Sequence, residues 1–275
     1  MRRCRLRRRP RVTAILALTA CLGVGVAPFP MTAQAESTWE TRAETITQQA
    51  LPQSDIDPVS ELPDLRDYPA GPVRKQVFLK LLVPLVEAEN ARIAAQREWL
   101  ETVQARGVVR STKERKRLAA LCQEYDMTCR NQRVSEALLE RVNTIPLSMV
   151  IIQAIEESGW GTSRFARQGN NLFGLRCFKD GCGLAQAGSG RQYSAFDTVR
   201  DAVRTYLHNL NTHEAYTQLR ERRARLIAQG RPVTAEALIG ALEGYATRHD
   251  YQDVLLSLLR TNNDLIHRHR SDKTA

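Results

Sequence analysis

No glycine-rich phosphate loop and no Ser-His-Asp arrangement occurs in this chain, and its five histidines (His208, His213, His249, His267, His269) do not fall at metal-ligand spacings. Nucleotide chemistry, triad hydrolysis and a histidine-bound metal therefore have no support, and neither a metal nor another cofactor is expected. Internal repeats and low-complexity tracts are also missing, which excludes a solenoid. Strand-like runs are few, so the reading is mainly α with a minor β element. The first 35 residues contain no Asp or Glu but hold Arg2, Arg3, Arg5, Arg7, Arg8, Arg9 and Arg11. Removing these seven lowers the formal charge from +10 to +3. The rest of the chain is then only mildly basic, which argues against a nucleic-acid partner and leaves a modest attraction to anionic polymers.

That arginine-rich start precedes an apolar run over residues 12–27 and then Ala33-Gln34-Ala35, a small-residue cleavage site. The pattern predicts export to the periplasm or beyond, with a mature chain starting at Glu36. Leu18-Thr19-Ala20-Cys21 also resembles a lipobox, which would attach the protein to a membrane through Cys21. It ranks second because apolar residues continue past Cys21. A run of sixteen apolar residues is slightly short for a spanning helix. Export places Cys122, Cys129, Cys177 and Cys182 in an oxidising compartment as an even set. Three connectivities are possible, and proximity favours Cys122 with Cys129 and Cys177 with Cys182. A four-cysteine zinc site would need tighter spacing than the six and four intervening residues found here.

Residues 36–71 are rich in Pro, Asp and Ser and read as an extended segment. Residues 72–134 form an N-terminal helical region. Val77, Phe78, Leu81, Leu82, Leu85, Val86, Ile93 and Leu100 follow a helical period over 73–106, with a kink expected at Pro84. Ser111-Thr112-Lys113-Glu114 has capping-box spacing for a second helix, and Ser135 caps a short third. The remaining domain spans 135–275. In it, residues 172–178 and 191–196 read as a small hairpin walling a cleft, and helices follow over 199–210, 215–229, 234–242 and 251–267, the last capped by Asp250.

Between the short third helix and the hairpin lies an apolar helix beginning near Pro146 and ending at Gly159. Leu147, Val150, Ile151, Ile152, Ala154 and Ile155 leave little room for a polar face, so the helix should be buried on most sides. Glu156 and Glu157 stand at its C-terminal mouth. A carboxyl there, beside Trp160 and a glycine, is in a setting that favours its protonated form and suits a general acid. Glu157 shares a face with Gln153, and Glu156 shares one with Ile152. Taken alone, the pattern also fits two solvated glutamates at an ordinary helix end.

The stretch Gln153-Ala154-Ile155-Glu156-Glu157-Ser158-Gly159-Trp160-Gly161-Thr162-Ser163, followed by Gly169-Asn170-Asn171-Leu172-Phe173-Gly174, resembles the signature of bacterial glucosaminidase-domain peptidoglycan hydrolases. Arg176-Cys177-Phe178, Gly181-Cys182-Gly183-Leu184 and the upstream Pro58-Val59-Ser60-Glu61-Leu62-Pro63 resemble the Bax branch of these proteins. The resemblance covers most of the chain beyond about residue 50. It implies a lysozyme-like helical fold, peptidoglycan glycan strands as substrate, and β-N-acetylglucosaminidase activity. It also implies that Glu157, the Glu directly before Ser-Gly-Trp-Gly, is the catalytic acid.

Glycosidic cleavage usually needs a second group as well. Asp180, Asp197, Asp201 and Glu156 are available near the glycine-rich segment; Asp197 is preferred because it follows the 193–196 run, and the substrate's own acetamido group is an alternative. The resemblance further places Tyr245 near the scissile sugar. Gln153, Trp160, Asn171 and Phe173 complete the expected substrate-binding set, although Trp160 and Phe173 would serve equally to hold the glycine loop to the core, and Gly-Asn-Asn is also ordinary turn chemistry. Lytic transglycosylase chemistry and a non-catalytic glycan- or partner-binding role are the competing functions.

Overall fold

In the computed structural model, Leu62 and Leu65 lie close over the glycine turn that ends the buried central helix: a Cβ added to Gly161 would fall 2.5 Å from Leu65 Cδ1. The structure describes residues 62–130, 132–179, 181–242 and 249–270. The export segment, the lipobox cysteine and Tyr245 lie outside the described residues. The elements follow in order: α1 (Pro72–Arg106), α2 (Thr112–Glu124), α3 (Glu136–Arg141), α4 (Leu147–Ser158), α5 (Arg164–Gly169), β1 (Arg176–Cys177), β2 (Gly183–Ala185), β3 (Gln192–Ser194), α6 (Val199–Thr212), α7 (Thr217–Ala228), α8 (Ala235–Ile239) and α9 (Tyr251–His267).

Helix α1 continues through Pro84 and ends at Gly107 in the left-handed conformation. The capping box forms as its spacing predicts: Glu114 N–H donates to Ser111 Oγ at 3.1 Å while Glu114 Oε2 accepts from the Ser111 amide. Ser135 caps α3 through the Leu138 amide. Pro146 stands at the N-cap of α4, one position ahead of the first helical turn where the sequence pattern places it.

Two expectations need correction. The hairpin is a three-stranded antiparallel sheet in the order β1-β3-β2, because residues 183–185 also pair with β3. A Cβ on Gly183 would meet the Tyr193 carbonyl oxygen at 2.0 Å, so β2 approaches β3 closely only because that side chain is missing. The stretch after Gly161 also holds a helix, α5, capped by Ser163 Oγ, where an irregular segment was expected.

One hydrophobic core runs from Leu62 to Ile266 and is continuous across residue 135, so the N-terminal helices and the later ones share it. Helix α4 lies at its centre, packed by α1, α8 and α9, with residues from Ser148 through Ile155 all buried. Buried Glu89 ties α1 to α6 through Arg204 at 2.9 Å and also pairs with Arg92 of its own helix. Burial pushes the Glu89 carboxyl up, but the two guanidiniums outweigh it and hold its pKa below the ordinary value.

Both favoured cystine pairs are present, Cys122 with Cys129 and Cys177 with Cys182, with Cα atoms 5.9 and 6.1 Å apart.

Candidate active site

The C-terminus of α4 is shaped by its last residues. Ser158 Oγ donates to the Ala154 carbonyl and accepts the Gly161 amide at 2.8 Å, which folds the chain back on the helix. Gly159, Trp160 and Gly161 all have positive φ. Trp160 is held in this strained conformation by Phe78, edge-on at 5.5 Å, and by Lys75 Nζ 4.9 Å over its ring. Its indole thus fastens the glycine turn to α1 and is not part of the cleft wall beside Glu157.

Glu157 is half-buried and opens onto a cleft of about 410 Å³ whose far wall carries His208, Asn209, His213 and Tyr216. One carboxylate oxygen, Oε1, accepts from Tyr251 Oη at 3.0 Å. Tyr251 in turn accepts from Gln153 Nε2 at 3.2 Å, and Gln153 Oε1 accepts from Tyr206 Oη. Donors in this chain all point the same way, from Tyr206 through Gln153 and Tyr251 toward Glu157. Burial, with the Glu157 charge added, pushes the Tyr251 phenol far above its ordinary pKa, so it remains a donor. Burial does the same to Tyr206. The second oxygen, Oε2, lies against Gly174, where an added Cβ would stand only 2.8 Å away.

The structure therefore brings Gln153, Glu157 and Phe173 together, in different roles. Gln153 is fully buried, so it aligns the tyrosines rather than touching solvent. Phe173 is 1% exposed and stacks on Tyr206 at 4.0 Å, forming the cleft floor. Asn171 is 1% exposed; its Nδ2 donates to the Leu175 and Ser194 carbonyls, and its Oδ1 accepts the Phe173 and Leu175 amides. That uses the hydrogen-bonding capacity of the side chain and leaves none for a sugar. Asn170 in the same way joins the Leu62 amide to the Phe196 carbonyl.

Asp197 is exposed in the turn before α6 and does not line the cleft. Asp201 is engaged at the α6 N-terminus, accepting from Thr198 Oγ1 at 2.6 Å. Among the described residues, Glu157 is the carboxylate that lines this cleft. A larger hollow of about 540 Å³ beside the start of α4 contains Glu87, but that carboxylate faces Arg270 at 3.4 Å. Tyr251, Tyr206 and Gly174 escaped the sequence reading. The signal that could have found the tyrosines is a buried Gln one turn before a cleft carboxyl, because such an amide must be satisfied.

Residues 134–264 match the glucosaminidase family, described as mannosyl-glycoprotein endo-beta-N-acetylglucosaminidase. The chain is 42% identical over 214 residues to Protein bax of Escherichia coli, covering 76% of this chain and 77% of that protein. It belongs to the glucosaminidase family of glycoside hydrolases. Exo-glucosaminidase LytG of Bacillus subtilis is 26% identical over 132 residues, 46% of each chain. The crystal structure of the catalytic domain of the autolysin Auto from Listeria monocytogenes aligns over 84% of this chain and 97% of its own, at 15% identity and a TM-score of 0.41.

Proposed function

We propose that the protein is a peptidoglycan hydrolase, an endo-β-N-acetylglucosaminidase that cleaves β-1,4 bonds of the glycan strand with Glu157 as general acid. The supporting observation is the fixed carboxyl. Tyr251 donates to Oε1, and Oε2 lies on the Gly174 side, where we place the transferable proton. From there it passes to the glycosidic oxygen as the C1–O bond breaks. With no second carboxylate lining the cleft among the described residues, the acetamido oxygen of the N-acetylglucosamine whose C1 is attacked is assigned to cover that carbon as the other sugar leaves with the proton, until water adds there. Water's proton returns to Glu157, which restores the acid. By the family resemblance, Tyr245 stands beside the same sugar.

Mass spectrometry of muropeptides from purified peptidoglycan tests this reading. Internal fragments ending in reducing N-acetylglucosamine are expected. Anhydro sugars would show transglycosylation instead, and an undigested sacculus would leave a binding role.

Export is part of the same proposal, with cleavage after Ala35, since the substrate lies outside the cytoplasm and the four described cysteines pair as two cystines. The N-terminal peptide of the mature protein should begin at Glu36; a lipidated Cys21 at that end would establish the membrane-anchored form.

A further inference from the structure

Among the described residues, the most exposed large apolar side chain is Phe178, at 86%. A single exposed aromatic ring is ordinary on a protein surface, so its setting has to carry the argument. Here its base is held in three ways. Cys177 beside it is bonded to Cys182, which closes the chain into a short loop. The Arg176 guanidinium lies 5.3 Å from the ring centroid. Arg176 itself pairs with Tyr193 across the sheet, and Tyr193 stacks on Phe165 of α5 at 4.2 Å. The ring thus stands on a stapled edge of the sheet, at low entropic cost for binding.

Its position is informative. Phe178 and Arg176 line the Glu157 cleft and also a neighbouring hollow of about 350 Å³ that contains Lys179, Arg191 and Gln192. They form the ridge between the two. We propose that Phe178 is a sugar-stacking platform: a pyranose of the glycan strand lays its apolar face on this ring as the strand passes from the Glu157 cleft into the second hollow. The cations there then face the carboxylates carried by the peptide-bearing sugars. The proposal rests on the glycosidase reading above, since the strand's path is set by the cleft it leaves.

The test uses the Glu157→Gln protein, which retains ligand without turning it over, titrated calorimetrically with peptidoglycan glycan strands and with a chitin disaccharide. Stacking on one aromatic face should make Phe178→Ala bind the long strand about tenfold more weakly (about 1.4 kcal/mol), with little change for the disaccharide. Phe178→Trp should restore binding. The Cys177→Ser/Cys182→Ser pair should weaken long-strand binding alone, yet add nothing once Phe178→Ala is present, because the staple acts through the ring. Equal long-strand affinity with and without the Phe178 side chain overturns the platform, whatever the wild-type activity. Wild type that cleaves normally while Phe178→Ala binds unchanged removes the platform alone. Wild type that neither binds nor cleaves strands removes the glycosidase reading with it. Capture of an envelope protein that needs Phe178, with glycan affinity unaltered, overturns it in favour of a protein contact.

Discussion

Glu157→Gln should lower the release of new reducing ends from purified peptidoglycan by about 10²–10⁴-fold, the usual contribution of a positioned general acid. The amide keeps the shape of the carboxyl, and its oxygen can still accept from Tyr251 Oη, so the polar chain through Gln153 to Tyr206 survives and circular dichroism should match wild type. What disappears is the proton on the Gly174 side. Glu156→Gln is the control. It lies about 100° around α4, does not line the cleft, and should lose far less. Wild-type activity in Glu157→Gln would remove the proposed acid; equal losses in the two variants would show that charge at the helix end, rather than a directed proton, is what matters.

Gly174→Ala should reduce kcat by about 10²-fold without touching any group that exchanges a proton, because misplacing a reacting group by about 1 Å has that effect. A Cβ there would stand 2.8 Å from Glu157 Oε2 and 3.6 Å from its Cδ. A carboxyl that moves away from this Cβ strains the 3.0 Å bond from Tyr251. A second penalty comes from the backbone, since Gly174 has φ +63 and a left-handed alanine costs about 1–2 kcal/mol. In a domain of this size that lowers Tm by about 2–8 °C. Gly188→Ala separates the two effects. Gly188 has φ +74 and nothing within 4 Å of an added Cβ, so it should share the loss of Tm and retain activity. If both alanine variants lose activity equally, the contact with Glu157 is not the cause.

The legible parts of this chain are those governed by local rules. Ser111 and Glu114, Ser135, Gly107 and Gly159 each mark a helix end through a bond or a backbone angle that a few neighbouring residues determine. The apolar surround of α4 likewise announces its burial. Strand β2 was missed because three residues containing a glycine carry no alternation, and its pairing depends on the missing Gly183 side chain. The site was half legible. Glu157 and Gln153 share a helical face, and the family motif singles out the first. Tyr206 and Tyr251 come from helices 53 and 98 residues away from Gln153, and only tertiary packing brings them to it. Asn171 shows the opposite case: a residue that reads as a sugar contact is consumed by the backbone of its own loop.

The proposed acid is mounted on a helix whose residues from Ser148 through Ile155 are all buried. Small-scale opening events begin where backbone is exposed and contacts are few, and reach a helix walled by three others only when the whole domain comes apart. Loosening the stapled rim, or fraying the far ends of α1 and α9, can therefore alter how a strand enters without tilting α4. The proposed grip on the polymer answers to local opening of the rim, and the setting of the proposed proton donor to opening of the core around α4.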